Sequence, residues 1–332
     1  MPRLTRPQLI AVEGVLVLIA VLILVLIVAS PFGGGESAAS ANPTTTLTAV
    51  APPTADAAGP TRMPDATDAP VPDDCAPPID SSFLSANMIV SYYGSPYAET
   101  LGILGQHEPV ELVSLLRDHA GAIDQLNGIR GVQPAFHIVW GTAQPDPGAD
   151  GLYLLRVDDE TTQAYIDLAC ENGFLVFLDL QNGRSDPLDE LRRIEPYLKN
   201  SNVHVALDPE FTMREGEVPG QVIGHVTGDQ INAVQADLER IVQENNLPNK
   251  VLVVHQFDES MIQDREAIQD LPNVHVVIDM DGFGPANVKV KKYGMFSQPA
   301  EHGGIKIFFQ QDDPRLTDEE AVRLDPEVII YQ

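Results

Sequence analysis

The chain has 332 residues, of which 44% are hydrophobic, and its formal net charge is −28 at pH 7. This length and composition suffice for one folded domain with a sizeable core. A surface with so much negative charge repels nucleic acid and anionic lipid headgroups, so neither is expected as a partner.

An apolar segment near the N-terminus predicts a membrane anchor. Leu9 to Ala29 is interrupted only by Glu13 and Gly14, and as a helix it is long enough to cross a hydrocarbon core of roughly 30 Å. Arg3 and Arg6 precede it, whereas no Lys or Arg follows until residue 62. This charge bias predicts a single-pass protein of the cell membrane, with residues 1–30 as cytoplasmic tip and signal anchor and the rest extracytoplasmic.

A cleavable signal peptide is the alternative interpretation of the same segment. Ala39, Ser40 and Ala41 offer the small residues that a signal peptidase needs. The apolar core is long and this site is distant from it, so the uncleaved anchor is favoured.

Residues 31–80 are predicted to be a flexible linker. They are rich in Gly, Ala, Thr, Pro and Asp and nearly lack large apolar residues, so burial cannot offset the entropy of ordering them. The chain has two cysteines, Cys75 and Cys170, in a compartment that permits disulfides. A bridge between them and two unpaired thiols remain alternatives.

Residues 81–332 alternate short apolar runs with amphipathic segments, a pattern typical of consecutive β-α units. The predicted strands are Met88 to Tyr92, Ala135 to Trp140, Phe174 to Asp179, Val203 to Leu207, Val251 to His255, Val274 to Asp279, Ile305 to Phe309 and Val328 to Tyr331. The predicted helices are Val110 to Leu126, Thr161 to Glu171, Leu188 to Leu198, Asp229 to Asn245 and Met261 to Leu271. Pro187 suits a first helical turn, and Thr317 with Glu320 predicts a capping box for a last short helix.

Eight strands in this arrangement predict an α/β fold, a (β/α)₈ TIM-like barrel. An open doubly wound sheet is the alternative, but no Gly-rich phosphate loop follows the first strand. The sequence stops at Gln332, directly after the eighth strand. We therefore expect the segment before Met88 to cover the place of the final outer helix.

Acidic residues at the ends of the predicted strands are the strongest functional signal, because a barrel exposes its working face there. Asp208 and Glu210 flank Pro209, so on an extended segment both would face one cleft and raise each other's pKa. Asp279 and Asp281 repeat the spacing two strands later. These four carboxylates are the predicted catalytic residues, since glycoside hydrolysis needs a protonated acid beside a second carboxylate.

Other residues at the strand ends are predicted to bind substrate. Asp179 could contact a sugar hydroxyl, His255 could support a neighbouring group as a neutral imidazole, and aromatic rings at the rim could stack on sugar faces. The predicted set is Asp179, Tyr92, Trp140, His255, Gln256, Gln310 and Tyr331. Tyr93 also ends the first strand.

No nucleotide, zincin, thiol-redox or serine-hydrolase motif is present, so no cofactor is predicted. A divalent metal stays open, because acidic side chains and an imidazole on adjacent strands could form an oxygen-rich site. The residues concerned are Asp179, Asp208, Glu210, His255 and Asp279.

The chain resembles membrane-anchored or secreted bacterial proteins with a glycoside-hydrolase-like (β/α)₈ barrel, a group with few assigned activities. The stretches that carry the resemblance, within residues 87–332, are FLVFLDLQNGRSD, VALDPEF, VLVVHQF, IDMDGFG and IIYQ. VALDPEF also looks like the Asp-x-Glu strand end of barrel-type muramidases, which implies catalytic roles for Asp208 and Glu210. Those enzymes have a further acid on the first strand, where this chain has Tyr92 and Tyr93.

These signals favour a surface-tethered, glycosidase-like hydrolase acting on cell-wall or extracellular polysaccharide. Glu210 is the expected general acid, and Asp208, Asp279 or Asp281 the second carboxylate. Two alternatives remain. One is a non-catalytic barrel that binds glycan or a wall-associated protein, and the other is a metal-dependent phosphodiesterase-type hydrolase.

Overall fold

Eight parallel strands close on themselves in the part of the chain that the computed structural model describes, residues 75–332. We number them β1 to β8 in chain order: Asn87–Gly94, Gly131–Ala143, Leu175–Leu180, Val203–Leu207, Lys250–Gln256, Val274–Met280, His302–Ile307 and Val328–Tyr331. Each strand pairs in parallel with the next, and β8 pairs with β1, with Ile89 opposite Val328. The predicted barrel is confirmed, and the open doubly wound sheet is wrong.

Within residues 75–332, six α-helices lie between the strands on the outside of the barrel. We number them α1 to α6: Pro109–Asp124, Asp159–Asn172, Pro187–Leu198, Gly228–Asn245, Ala286–Phe296 and Asp318–Val322. Their starts are marked by local chemistry. Pro187 is the first residue of α3, and the Thr317 side chain and the Glu320 backbone and carboxylate form the predicted capping box of α6.

Shorter elements complete the described chain. A one-turn helix, Phe83–Ala86, precedes β1, and the strand Leu154–Arg156 pairs antiparallel with the end of β2. Val226–Thr227 pairs with Ile262–Gln263 in a small separate sheet. The 3₁₀ turns are Glu99–Leu101, Ile103–Gly105, Pro209–Phe211, Glu259–Met261 and Arg265–Ala267.

The helix predicted between Met261 and Leu271 is wrong. This connection between β5 and β6 contains two 3₁₀ turns and the short strand Ile262–Gln263, and Asp264 takes a left-handed conformation with φ of 50°. Ile262–Gln263 therefore makes strand hydrogen bonds with Val226–Thr227 and no helical ones. In place of a covering helix, the outer wall of β6 carries a cavity of about 510 Å³ that includes Val276 and Ile278 in its lining.

Residues before β1 close the amino-terminal end of the barrel. Ile79, Phe83 and Leu84 are buried in one apolar cluster with inward-facing strand residues such as Ile89 and Val251. A second and larger cluster fills the layer between the strands and the helices. The expectation that the segment before Met88 covers the place of the final outer helix is therefore wrong, because its apolar side chains join the interior cluster instead.

Cys75 and Cys170 form a disulfide, so the bridge is the correct one of the two alternatives. It joins the start of the described chain to the last turn of α2. No helix within residues 75–332 has the length and apolar character needed to cross a membrane. The predicted anchor from Leu9 to Ala29 and the linker up to residue 74 lie outside the described residues, and both stay predictions.

Candidate active site

Ionisable side chains fill the barrel interior near the carboxyl-terminal ends of the strands. Alternate residues of each strand point inward, and towards this end the inward positions change from apolar to polar. The ionisable residues at these inward positions are Tyr93 on β1, His137 on β2, Asp179 on β3, Asp208 after β4, His255 on β5, Asp279 on β6 and Lys306 on β7. None is more than 5% exposed.

Short polar contacts join these side chains across the barrel. His255 Nδ1 lies 2.8 Å from Asp279 Oδ2, and the Tyr93 hydroxyl donates to Asp179 Oδ2 at 2.7 Å. Lys306 Nζ lies 2.8 Å from Asp281 Oδ1 and 3.7 Å from the centre of the Tyr93 ring. We call Asp179, Asp208, Glu210, Asp279 and Asp281, together with His255 and Lys306, the acidic network.

Gly304 makes room for one member of the acidic network. It is the register partner of Asp279 on the neighbouring strand. A Cβ atom at Gly304 would lie only 2.9 Å from Asp279 Oδ1, closer than real Cβ contacts. Glycine at this position therefore lets the Asp279 carboxylate sit between β6 and β7.

Asp208 and Glu210 reach the network by a route that differs from the predicted one. Pro209–Phe211 is a 3₁₀ turn, so the expected extended Asp-Pro-Glu segment is wrong. The turn is fixed by the Gly224 amide, which donates to Glu210 O at 2.7 Å. Gln181 positions Asp208 by donating to its Oδ2 at 3.3 Å while accepting from the Ala143 amide at 2.9 Å.

Burial and like charges favour the protonated forms of two acids. Burial, with the charges of Asp208 and Asp281, raises the pKa of Glu210 well above its usual value. Burial, with the charges of Asp179 and Asp281, raises the pKa of Asp208 to about 7. Glu210 is the more accessible of the two residues, because it has intermediate exposure whereas Asp208 is 2% exposed. It is therefore suited to donate a proton near neutral pH.

Deeper in the barrel, opposite charges shift most of the pKa values more than burial does. Burial alone would raise the pKa of Asp179, but His255, His137 and Lys306 lower it to about 2. Burial and Lys306 would lower the pKa of His255, yet Asp281 and Asp179 raise it to about 10. The carboxylates around Lys306 likewise keep its pKa above the usual value despite burial. Asp279 is the exception. Burial raises its pKa more than the hydrogen bond with His255 lowers it.

The structure brings together all four predicted catalytic carboxylates and two of the predicted binding residues. Glu210, Asp208, Asp279 and Asp281 interact through the contacts and charges described above, and Asp179 and His255 lie among them. His255 is in the supporting position expected for it, although its paired carboxylates favour the charged imidazolium over the neutral ring.

The three predicted aromatic binding residues face away from this network. Tyr92, Trp140 and Tyr331 are buried in the cluster between the strands and the helices. The Trp140 indole donates to Thr162 Oγ1 of α2 at 3.1 Å, and the Tyr331 hydroxyl donates to Asp318 Oδ1 of α6 at 2.7 Å. The prediction that these rings line the rim is wrong, because strand alternation turns each of them outward.

The side chains of the two predicted glutamines make no hydrogen bond with the acidic network among the described residues. Gln256 is buried, donates to Asp258 O at 3.3 Å and accepts from Arg265 Nη1 at 2.9 Å, so its side-chain amide is used within the loop after β5. Its backbone carbonyl accepts from the Asp281 amide at 3.3 Å. Gln310 is exposed in the loop after β7.

Sequence reasoning missed His137 and Lys306, and it considered Tyr93 only as an aromatic ring at the end of the first strand. His137 and Lys306 lie within strands, whereas the predicted site residues lie at strand ends. A signal was present: single polar residues interrupt apolar runs at Ser91, His137 and Lys306. In a barrel strand buried on both faces, such an interruption indicates a polar interior.

The comparisons with known proteins add little to this description. No protein-family model matches the sequence, and no curated protein is significantly similar to it. Among solved structures, the chain is similar to one described as a trimodular GH5_4 subfamily endoglucanase, with 11% sequence identity and a TM-score of 0.41. The match covers 76% of this chain and 57% of that chain, so the chain spans less than two thirds of the length of that structure.

A similarity of this strength carries no argument about function. The strand order and the interior contacts define the class of protein by themselves: a (β/α)₈ barrel with an acidic, largely desolvated group of side chains at the carboxyl-terminal end. Because this fold hosts many chemistries, function has to be argued from those side chains.

Proposed function

We propose that the protein is a glycosidase-like hydrolase that acts on cell-wall or extracellular polysaccharide. The observation that carries the proposal is Glu210, a residue of intermediate exposure whose raised pKa favours a protonated carboxyl group beside other acidic side chains. Glycoside hydrolysis requires such an acid to protonate the leaving oxygen and a second carboxylate to attack the sugar or activate water.

Asp281 is the best candidate for that second carboxylate. Its charge contributes to the raised pKa of Glu210, and its Oδ1 lies 2.8 Å from Lys306 Nζ. Asp279 is fully buried and hydrogen-bonded to His255, so it positions the imidazole and is shielded from substrate. The charge of Asp208 also contributes to the raised pKa of Glu210.

We further propose that the protein is tethered to the cell membrane with the barrel outside the cytoplasm. The apolar segment from Leu9 to Ala29 and the preceding arginines support this location. The disulfide between Cys75 and Cys170 supports it independently, because disulfides persist mainly in oxidising compartments. Protease accessibility of the barrel on intact cells is the direct measurement.

The test of activity is a panel of cell-wall and extracellular glycans incubated with the full-length protein, with products identified by mass spectrometry. We expect Glu210→Gln to reduce turnover by roughly 10²–10⁴-fold, the usual contribution of a general acid. Glu215→Gln is the matched control, because Glu215 is exposed on the same loop. Wild-type activity should also fall as pH rises and Glu210 loses its proton.

Two results would contradict the proposal. Undiminished turnover in Glu210→Gln would remove the assigned acid. Saturable binding of a glycan without any product, at every pH tested, would favour the non-catalytic binding barrel instead.

A further inference from the structure

His137 is a fully buried histidine without a hydrogen-bond partner. Both ring nitrogens lack a partner among the described residues, and the side chain is 0% exposed. Its ring stacks on Phe177 at 5.2 Å, and it lies 5.4 Å from the ring of His255. A buried polar group without a partner is unfavourable, so one in a native structure points to a ligand.

Two neighbours of His137 also present unpartnered atoms. His255 Nδ1 is engaged by Asp279 at 2.8 Å, which leaves His255 Nε2 buried and 3.6 Å from Asp179 Oδ2, too far for a good hydrogen bond. Asp179 accepts from Tyr93 through Oδ2, while its Oδ1 is buried without a partner. His255 and Asp179 thus each have one atom held by a hydrogen bond and another without a partner, and both nitrogens of His137 are without one.

We propose that His137, Asp179 and His255 bind one divalent first-row transition-metal ion. Their ligand atoms all lie within 4.8 Å of one another. Two imidazoles with one carboxylate suit zinc, manganese, iron or cobalt, whereas calcium and magnesium prefer sites made of oxygen alone. The inference does not depend on the proposed hydrolase activity.

The surrounding contacts fit this assignment. Metal-binding histidines commonly donate their other ring N–H to a carboxylate, and Asp279 takes that place for His255. Tyr93 orients Asp179 in the same way. The other set of clustered ligands is His255, Asp279 and Asp281, but His255 Nδ1 is already bonded to Asp279 and Asp281 is paired with Lys306.

Acidic groups outnumber basic groups around this place. Five carboxyl groups lie in the acidic network, those of Asp179, Asp208, Glu210, Asp279 and Asp281, although Glu210 and Asp208 favour their protonated forms. The positive groups facing them are Lys306, which is committed to Asp281, and His255 when protonated. A metal ion would take the place of the proton on His255 Nε2, because a ligating imidazole is neutral at the coordinating nitrogen.

The test uses full-length protein purified in mild detergent, without chelator and with a histidine-free affinity tag. Metal content is measured by inductively coupled plasma mass spectrometry, and chelator-treated protein is then titrated with Zn²⁺, Mn²⁺ and Co²⁺. We expect about one tightly bound ion per chain, a melting temperature that rises with metal concentration, and visible absorption of the Co²⁺ form.

His137→Gln and His255→Gln should each lower the metal affinity by at least about tenfold, and Tyr93→Phe by roughly 10–100-fold through the orientation of Asp179. His204→Gln is the matched control. His204 is also fully buried with an unpartnered Nε2 and packs on Phe177, but it belongs to none of the ligand clusters. It should retain wild-type affinity.

Absence of tight metal binding in the wild type would overturn the proposal, as would equal binding by all four variants, which would indicate adventitious sites on the acidic surface. Circular dichroism of each metal-free variant shows whether it is folded. If one ligand variant does not fold, the other provides the comparison with His204→Gln. Loss of metal binding without loss of hydrolysis, or the reverse, separates this inference from the proposed function.

Discussion

Lys250 and Lys306 are both buried lysines, yet they lie at opposite ends of the barrel and have opposite electrostatic surroundings. Lys250 begins β5, and its ammonium donates to the carbonyl oxygens of Asn200 and Val203 at 2.7 and 2.9 Å. Burial lowers its pKa to about 7. Lys306 near the end of β7 is similarly buried, but the carboxylates around it keep its pKa raised.

The difference shows that the two ends of the barrel stabilise buried charges to different degrees. At the amino-terminal end, carbonyl dipoles do not offset the desolvation of a charge, and the nearby interior is apolar. At the carboxyl-terminal end, Lys306, His255 and Asp179 keep their charges because opposite charges surround them. The disulfide and the apolar packing of the first end, Lys250 apart, should contribute stability that is insensitive to pH. The second end should contribute stability and chemistry that depend on pH.

The largest expected effect comes from the amino-terminal end. The double variant Cys75→Ser/Cys170→Ser opens a loop with a sequence separation of 95 residues, which by chain entropy lowers the free energy of unfolding by about 5 kcal/mol. Urea unfolding followed by the fluorescence of Trp140 measures it. The loss should be the same at pH 5 and pH 8, and a loss that varies with pH would break the contrast between the ends.

Lys306→Met tests the carboxyl-terminal end. Removing the ammonium leaves Asp281 and its neighbours without their cation, which should lower the free energy of unfolding by about 3–5 kcal/mol near neutral pH. The loss should shrink as pH falls and the carboxylates become protonated. Unfolding curves at pH 5 and pH 8 measure this loss at each pH. A loss equal at both values would mean that Lys306 contributes by packing alone.

Lys250→Met should show a dependence on pH in a more alkaline interval. The folded state binds fewer protons at Lys250 than the unfolded state between pH of about 7 and the ordinary lysine pKa, so wild-type stability rises with pH over that interval. The variant lacks this gain, and the difference should change by at most about 1.4 kcal/mol per pH unit. A difference that is flat between pH 7 and 10 would show that Lys250 stays charged.

The smallest expected effect concerns a cap outside the barrel interior. Thr317→Ala removes the capping box of α6 and should lower the free energy of unfolding by about 1 kcal/mol. The change should be equal at pH 5 and pH 8, because the acidic network is not involved. Unequal losses would mean that pH dependence is spread over the whole carboxyl-terminal end.

The barrel itself could be predicted because its strands are buried on both faces. Apolar runs such as Val203–Leu207 and Val328–Tyr331 have the same limits in the sequence prediction and in the structure. The convergence of Asp208, Asp279 and Asp281 followed from the rule that parallel strands end at one face. These inferences needed only the identity and order of the strands.

The inward or outward direction of each side chain could not be obtained from order alone. Tyr92 and Tyr93 differ by one residue, yet only Tyr93 reaches Asp179, because adjacent strand residues face opposite sides. Near Trp140 the pairing of β2 with β3 is irregular between Val139 and Gly141, which makes counting from the strand end unreliable. Register has to be known before a strand-end residue is assigned to a site.

Helix α5 shows a different limit of sequence reasoning. Its buried residues include Lys289, Tyr293 and Phe296, so a lysine stands at a core position and hides the apolar periodicity. Lys289 is accommodated because its ammonium lies 2.9 Å from Asp312 and donates to Gly282 O at 2.8 Å. Asp312 is distant in sequence and Gly282 lies in a loop. The burial of Lys289 therefore depends on tertiary contacts that the helix sequence does not show.

The disulfide also determines how the barrel would carry mechanical force. In a protein tethered through its N-terminus, as proposed, tension reaching Cys75 passes directly into Cys170 and the helix α2. Ile79, Phe83 and Leu84 lie beyond that crosslink in the chain, so pulling does not draw them out of the base of the barrel. Shear exerted on a polymer held at the opposite opening would thus enter the barrel through Cys170 and α2 as well as through the segment that leads to the first strand.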